Sequence, residues 1–399
     1  MNKGIKLHWL LIGVFLVNFG NSFVWPLTTV YIHDQLHQSL TIAGLVILCY
    51  SGANVVGSYI AGILFDRYNP RTLMIEGLIG AVATMLVLVW KSNWPIYPVM
   101  LTLVGFFNGW LVTLHNSYGT MVKGHDGRFV FNMIYFSNNL GMVFATSVVG
   151  PLYQLARNHV GPLFLLTGIL YLFFILIVAK FYRVQVSRQR TAAVDEKEIP
   201  KNKTTKLPAP NLITIWTMFI AMVIIWIAYS QWSSNMSVYV TNHGISMTLY
   251  SLLWTINGLM VVLLQPLMNI VNQYVKNDYL KIYVGICGIM MSFVVLVFAK
   301  QYWWFVLGMV VLTLGEITVF PTVPAVVDQL SPTDEKGRYQ GLLNALISFG
   351  KAVGPAIGGM IIEGLSYQPL FIACAGALIV VVVVASIVLE RTKKLVTEY

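Results

Sequence analysis

Twelve stretches of about twenty predominantly apolar residues recur from one end of the chain to the other, and this recurrence limits the fold more than any other feature. A helix needs about 20 such residues to cross a hydrocarbon core of ~30 Å. They lie near 7–30, 42–65, 72–91, 96–120, 129–153 and 160–182, then near 212–236, 247–271, 280–299, 302–327, 340–362 and 368–390. In hydrocarbon each backbone N–H and C=O must be satisfied inside the segment, which a helix does. Composition agrees. Of 399 residues, 57% are hydrophobic and 10% charged, against about 45–50% and about 25% in soluble chains. The expected fold is an all-α polytopic membrane protein of twelve transmembrane helices; a soluble enzyme, a secreted disulfide scaffold and a disordered tail are excluded.

Lys3 and Lys6 precede the first apolar run, which continues past Pro26 to about Val30 without an Ala-x-Ala site. It reads as an uncleaved first span rather than a signal peptide. Cys49, Cys287 and Cys374 lie far apart in apolar stretches without metal-ligand spacing, and read as small buried hydrophobes. No metal or cofactor is expected. Residues 183–210 form the long polar stretch, with seven Lys/Arg, three acids and three prolines, a linker composition. It divides the chain into a six-helix half at 1–182, a cytoplasmic linker at 183–210 and a second six-helix half at 211–399.

Cytoplasmic loops retain Lys and Arg. With both termini inside, 21 of the 25 fall on the cytoplasmic side; Lys91, Arg157 and Lys300 fall outside, and Lys351 within a span. The net charge of +10 is therefore a topology signal first, and no nucleic-acid partner is expected.

Internal repeats in a membrane chain point to a transporter. At an offset of 208–210, Val30-Tyr31 recurs as Val238-Tyr239, Gly77-x-x-Gly80 as Gly285-x-x-Gly288, Gly105 as Gly315 and Gly127-Arg128 as Gly337-Arg338. Polar faces repeat as well. Asn18, Ser22, Trp25 and Thr29 share one side of the first span, and Trp226, Ser230, Ser233 and Ser237 the matching side of the seventh. Such faces either bond to a neighbouring helix or line a water-filled cavity.

Between the second and third spans stands Gly62-Ile-Leu-Phe-Asp66-Arg67-Tyr-Asn69-Pro-Arg71. With the 6+6 layout, this resembles the loop signature of the major facilitator superfamily, Gly-x-x-x-Asp-Arg followed by basic residues. The resemblance implies a gating latch. Gly62 allows close helix approach, Asp66 accepts from amides at a facing helix N-terminus, and Arg67 and Arg71 pair across the loop. Asn69 replaces the usual glycine, which the left-handed region tolerates.

Glu316 sits near the middle of the tenth span and Lys351 mid-span in the eleventh. A charge at that depth costs ~2.5–3.5 kcal/mol on insertion scales, so it faces a cavity, pairs, or holds a proton. Three roles stay open: Glu316 as a proton-coupling or cation site, Glu316 and Lys351 as an ion pair, and Lys351 as the contact for an anionic substrate. Pro321 and Pro324 lie below the acid and are expected to disturb the helix as a hinge. Lys351 stands in Gly350-Lys351-Ala-Val-Gly354-Pro355-Ala-Ile-Gly358-Gly359. That run resembles the antiporter signature of the superfamily's drug:proton exchangers, which carry it in the fifth span. The exchangers' fourth-span arginine has no counterpart; Asn108, His115 and Asn116 are the polar residues there. His115 either bonds to a neighbouring helix or takes part in proton movement, its unperturbed pKa of ~6.5 suiting a relay. Trp94, Trp303 and Trp304 read as interfacial anchors, whereas Trp25, Trp110, Trp226 and Trp254 lie deeper, in the core or lining a pocket.

The first functional expectation is a proton-coupled secondary transporter exporting amphipathic or cationic compounds from the cell, a monomer in the cell membrane. The second is a carrier or flippase for an anionic, sugar or lipid-headgroup substrate held by Lys351. An intramembrane enzyme needs a nucleophile–base pair or metal ligands, and neither pattern is present in the spans. A receptor needs a soluble effector or ligand domain, which the loops do not supply.

Overall fold

The computed structural model describes residues 5–22, 24–119, 121, 122, 124, 127–182, 207–332 and 336–395; the side chains of Trp25, Asp66 and Arg67, and all but the last residues of the expected linker, lie outside the described set. The described residues are helical nearly throughout. The elements are α1 (Leu7–Asn21), α2 (Val24–Val30), a π-helical turn (Tyr31–Gln35), α3 (Leu40–Arg67), α4 (Pro70–Trp90), α5 (Ile96–Gly119), α6 (Gly127–Leu155) and α7 (Gly161–Phe181). After the linker come α8 (Ala209–Ser233), α9 (Asn235–Asn242), α10 (Met247–Tyr274), α11 (Asp278–Val297), α12 (Tyr302–Leu330), α13 (Lys336–Gly364) and α14 (Tyr367–Thr392).

Among the described residues, ten segments are long and apolar enough to cross a membrane, α8 and α9 counting as one. The two other expected spans are also helical. α6 carries Ser137, Asn138, Asn139, Thr146 and Ser147, which make it the most polar of the long helices before the linker. The expected span 7–30 runs on to Gln35 and is divided at Ser22, and the seventh is divided at Ser234. Serine back-bonding accompanies both divisions: the Ser22 hydroxyl donates to the Asn18 carbonyl at 2.7 Å, and that of Ser234 to the Ser230 carbonyl at 2.7 Å. Such bonds compete with the helical ladder and bend it. The repeat is visible in three dimensions too. Tyr31 donates to the Ser92 carbonyl and Tyr239 to the Ala299 carbonyl, each tying a first helix to the loop after a third.

Outward faces are apolar, with Val55, Ile169, Phe173, Leu176 and Val380 exposed. Trp90 and Trp303 project at helix ends, 87% and 74% exposed, where an aromatic belt belongs. The cysteines depart from expectation. Only Cys374 is buried; Cys287 is half-buried and Cys49 exposed, because a helix in lipid keeps apolar side chains on its outer face as well.

Helix starts follow local chemistry. Ser39 accepts from the Ile42 amide at 3.2 Å to begin α3, and Asn69 from the Arg71 amide at 3.0 Å to begin α4. Asn69 has φ −68°, so it serves as an N-cap rather than as a left-handed turn residue. The close crossing of α3 and α5 rests on Gly57, Gly105 and Gly109, where a Cβ would strike backbone carbonyls of Phe106, Tyr50 and Asn54. Gly62, expected in that role, has room for a Cβ, which would make an ordinary contact with Thr113 at 3.8 Å.

Successive spans alternate in direction, so one end of the bundle carries the linker and the other is the far end. Helices before and after the linker meet as α3 with α13, α6 with α10, and α2 with α9. Their polar contacts lie toward the far end: Thr41 with Glu363, Thr248 with Gln154, and Thr255 with Thr146 and Ser147.

Candidate functional site

Below these contacts a cavity opens between the two groups of helices as two adjoining chambers. The one nearer the far end has a volume of about 430 Å³ and the other about 890 Å³, within the range of small-molecule sites. Asn139, Trp226, Glu316 and Lys351 line both. The amino-terminal wall of the first chamber is polar and uncharged, with Asn18, Asn21 and Ser22 following α1 and Thr146 from α6. The opposite wall carries Tyr229, Ser230, Ser233, Trp254 and Asn257. The spacing that sets Asn18 and Ser22, and likewise Trp226, Ser230 and Ser233, on one helix face therefore does line a cavity.

Glu316 is held by two neutral donors. The Tyr229 hydroxyl donates to Oε2 at 2.9 Å and the Asn257 amide to the same oxygen at 2.8 Å. Asn257 also donates to Thr313 Oγ1 at 2.9 Å, and the Thr313 hydroxyl in turn donates to the Met309 carbonyl one turn back. The carboxyl on α12 is thereby tied to α8 and α10. Lys351 is elsewhere: its Nζ stands 3.9 Å from the centroid of the Trp226 ring, a cation–π distance. Among the described residues no N–O contact within 4.0 Å joins Lys351 to Glu316, so the expected ion pair is not formed in this arrangement. Trp226 stacks on Phe320 at 4.5 Å and meets Tyr229 edge-on at 4.9 Å.

The glycine and proline run around Lys351 docks α13 in two directions. Gly350, Gly354 and Gly358, one turn apart, press on Val223, Ile227, Ser230 and Gln231. Gln231 donates to the Gly354 carbonyl at 2.8 Å and Asn235 to the Pro355 carbonyl at 3.2 Å. On the other side Ala356 faces Gly44, and Gly359 faces Leu40, of α3. Helices α12 and α13 each continue through their prolines, Pro321, Pro324 and Pro355, as one element. The helix below Glu316 is thus continuous, since a membrane helix tolerates proline where neighbours satisfy the freed groups. Pro321 and Pro324 instead form part of the wall of the larger chamber.

Other expected site residues lie apart. His115 is 3% exposed, stacks on Phe174 at 5.6 Å and finds no partner for Nε2 among the described residues; the interhelical bond expected of it is not made there. With Asn108 it lines a side chamber of about 70 Å³ that shares Asn18 and Asn21 with the main cavity. Trp110 belongs to the core, donating to the Leu73 carbonyl at 3.0 Å. Arg71 donates to the Ala179 carbonyl at the end of α7, tying α4 to α7. The side chains of Asp66, Arg67 and Trp25 lie outside the described residues. Sequence spacing does not single out Tyr229, Asn257 or Asn139. Asn257 carries the clearest missed signal, a lone carboxamide midway along an apolar span.

Comparison with known proteins follows the same lines. A sequence model of the Major Facilitator Superfamily matches residues 10–345 and 241–398. The uncharacterized MFS-type transporter YttB of Bacillus subtilis (strain 168) is 34% identical over 396 residues, covering 98% of this chain and 97% of its own. A crystal structure of the peptide transporter POT in complex with sulfate superposes with a TM-score of 0.78 at 16% identity, over 98% of this chain and 95% of the other. One of a point mutant of the nucleoside transporter NupG gives 0.76 at 13% identity, over 96% and 99%. From helix layout, family match and end-to-end relative together, this chain is a multi-pass membrane transporter that belongs to the Major Facilitator Superfamily.

Proposed function

We propose that the protein works by alternating access and couples proton movement to the export of amphipathic or cationic compounds across the cell membrane. One observation carries this reading: Glu316, mid-helix in the cavity wall, has hydrogen-bond donors that are all neutral. An acid at that depth with no cation in direct contact is a group whose charge is set by what enters the cavity. As a carboxylate it attracts a cation; protonated, it releases one. Exchange of a proton for a cationic substrate at one oxygen pair is the elementary step of an antiporter, and it needs no nucleotide. The Lys and Arg distribution puts the linker end in the cytoplasm, so the arrangement sealed at the far end is the one that loads from inside. Gly62, Asp66, Arg67 and Arg71 then form the cytoplasmic latch of the opposite state, and Pro321, Pro324, Gly354 and Pro355 are where α12 and α13 flex. His115 stays a secondary proton group on this reading, and the unit of transport is the monomer. The POT and NupG structures, at 16% and 13% identity, speak for the fold alone.

A second reading has one observation in its favour. Lys351 lines both chambers and makes no direct N–O contact within 4.0 Å with an acid among the described residues, which suits an anionic, sugar or lipid-headgroup substrate. The deciding experiment is dye transport in everted vesicles under an imposed pH gradient. Uptake of a lipophilic cation that collapses with a protonophore and is lost in Glu316→Gln supports proton-coupled export. Wild-type vesicles that move no dye, or a mutant that matches wild type, overturn it.

A further inference from the structure

We infer that Lys351 is a tethered occupant of a cation site built on the Trp226 ring, and that a lipophilic organic cation binds by displacing its ammonium group. This inference rests on the proposed cation specificity. Trp226 has two faces. Phe320 covers one, stacked at 4.5 Å with an interplanar angle of 15°. The Lys351 ammonium stands over the same ring, 3.9 Å from its centroid. Tyr229 closes the edge at 4.9 Å, and its hydroxyl is the donor to Glu316. One tyrosine thus puts an aromatic face and a carboxyl on a single cavity wall, the combination that recognises quaternary and protonated amines.

The hold on Lys351 is of an exchangeable kind. Its ammonium rests against a ring and makes no direct contact within 4.0 Å with a carboxylate among the described residues. Its backbone is pinned, because a Cβ on Gly350 would meet the Val223 carbonyl at 2.7 Å and Trp226 Cβ at 3.0 Å. Its four-carbon stem remains free to swing into a chamber of about 890 Å³. A cation whose apolar body covers Trp254 or Phe320 offers more contact than the lysine and takes its place. Lys351 therefore sets a threshold: compounds that bind the ring more weakly than an ammonium on a short tether are refused.

The test is equilibrium binding of labelled tetraphenylphosphonium to purified protein in nanodiscs, without a pH gradient. Lys351→Met keeps the stem and removes the charge, and it is expected to tighten binding roughly tenfold. Lys351→Gln serves as a second variant should the first fold poorly. Trp226→Leu is expected to weaken binding in wild-type and Lys351→Met backgrounds alike, with Trp226→Phe recovering part of it. Binding that is unchanged or weaker in both lysine variants overturns the inference, as does absence of binding in all of them. Failure here alongside Glu316-dependent dye transport leaves the export reading standing. Tighter binding in the variants without coupled transport leaves only the cation site.

Discussion

Glu363 ends α13 at the rim of the far end, and it holds the start of α3 with both of its oxygens. The Thr41 amide donates to Oε1 at 2.7 Å and the Thr41 hydroxyl to Oε2 at 2.7 Å. Replacing Glu363 by alanine removes both bonds and a negative charge from the N-terminus of a 28-residue helix. Hydrogen bonds to a charged group contribute ~1.5–3 kcal/mol when enclosed. This rim is exposed, which brings the pair nearer ~1 kcal/mol, and the helix terminus adds ~0.3–1 kcal/mol. A total of about 1–2 kcal/mol moves a two-state equilibrium by about 5–30-fold. The expected outcome is a gain of that size in the population open at the far end. Spin labels at Asn158 and Asn242, both exposed near that end, in a background without the three cysteines, report it by pulsed dipolar spectroscopy. Thr41→Val, which removes only the hydroxyl bond, should give a smaller shift in the same direction. Distance distributions in Glu363→Ala that match the parent refute the idea that this carboxylate holds the halves together.

Three further outcomes follow from the packing and the site. Asn257→Leu strips Glu316 of one donor and Thr313 of its carboxamide partner, and should lower gradient-driven transport at least roughly tenfold, the cost of one hydrogen bond to a charged group, while leaving expression intact; unchanged transport shows that the carboxyl needs no such placement. Gly109→Leu puts a side chain against the Asn54 carbonyl, an overpacking that costs ~1–3 kcal/mol or more, and should lower the melting temperature in detergent, whereas Gly62→Ala should leave it within error. Arg71→Ala removes the bond to the end of α7 and strands the Ala179 carbonyl, a loss of ~1–3 kcal/mol seen as earlier thermal unfolding with no change in the dye or cation spectrum accepted.

The helices are legible because hydrocarbon leaves the backbone no alternative, so apolar length alone determines them. The cavity is legible where polar side chains repeat on one face, as Asn18 and Ser22 do, or where a charge is out of place, as with Glu316. What escapes depends on distances that spacing does not encode. Lys351 and Glu316 share adjacent helices in sequence order, yet Trp226 and Tyr229 take one each as a partner. Spacing sets His115 and Asn108 on one helix face, but only the packing shows that this face borders a side chamber, with the imidazole against Phe174. Gly62 stands in a recognisable motif while the tight α3–α5 crossing falls to Gly57, Gly105 and Gly109, which belong to no such motif. A glycine's importance depends on what lies opposite it, and that is a tertiary fact.

The surface by which α13 meets α3 has a mechanical meaning. At Gly44, Ala356 and Gly359 backbone lies against backbone, the nearest atoms to each glycine being main-chain atoms of the facing helix. Such a joint has no teeth: the two halves can part and reseat without any rotamer having to unlock, and the friction of the cycle is shifted to the few polar bonds at its edge. Substitutions at Gly44 and Gly359 should accordingly be judged by volume alone, and even an alanine should hold the joint ajar, since its Cβ would meet facing backbone at 2.4 and 2.7 Å.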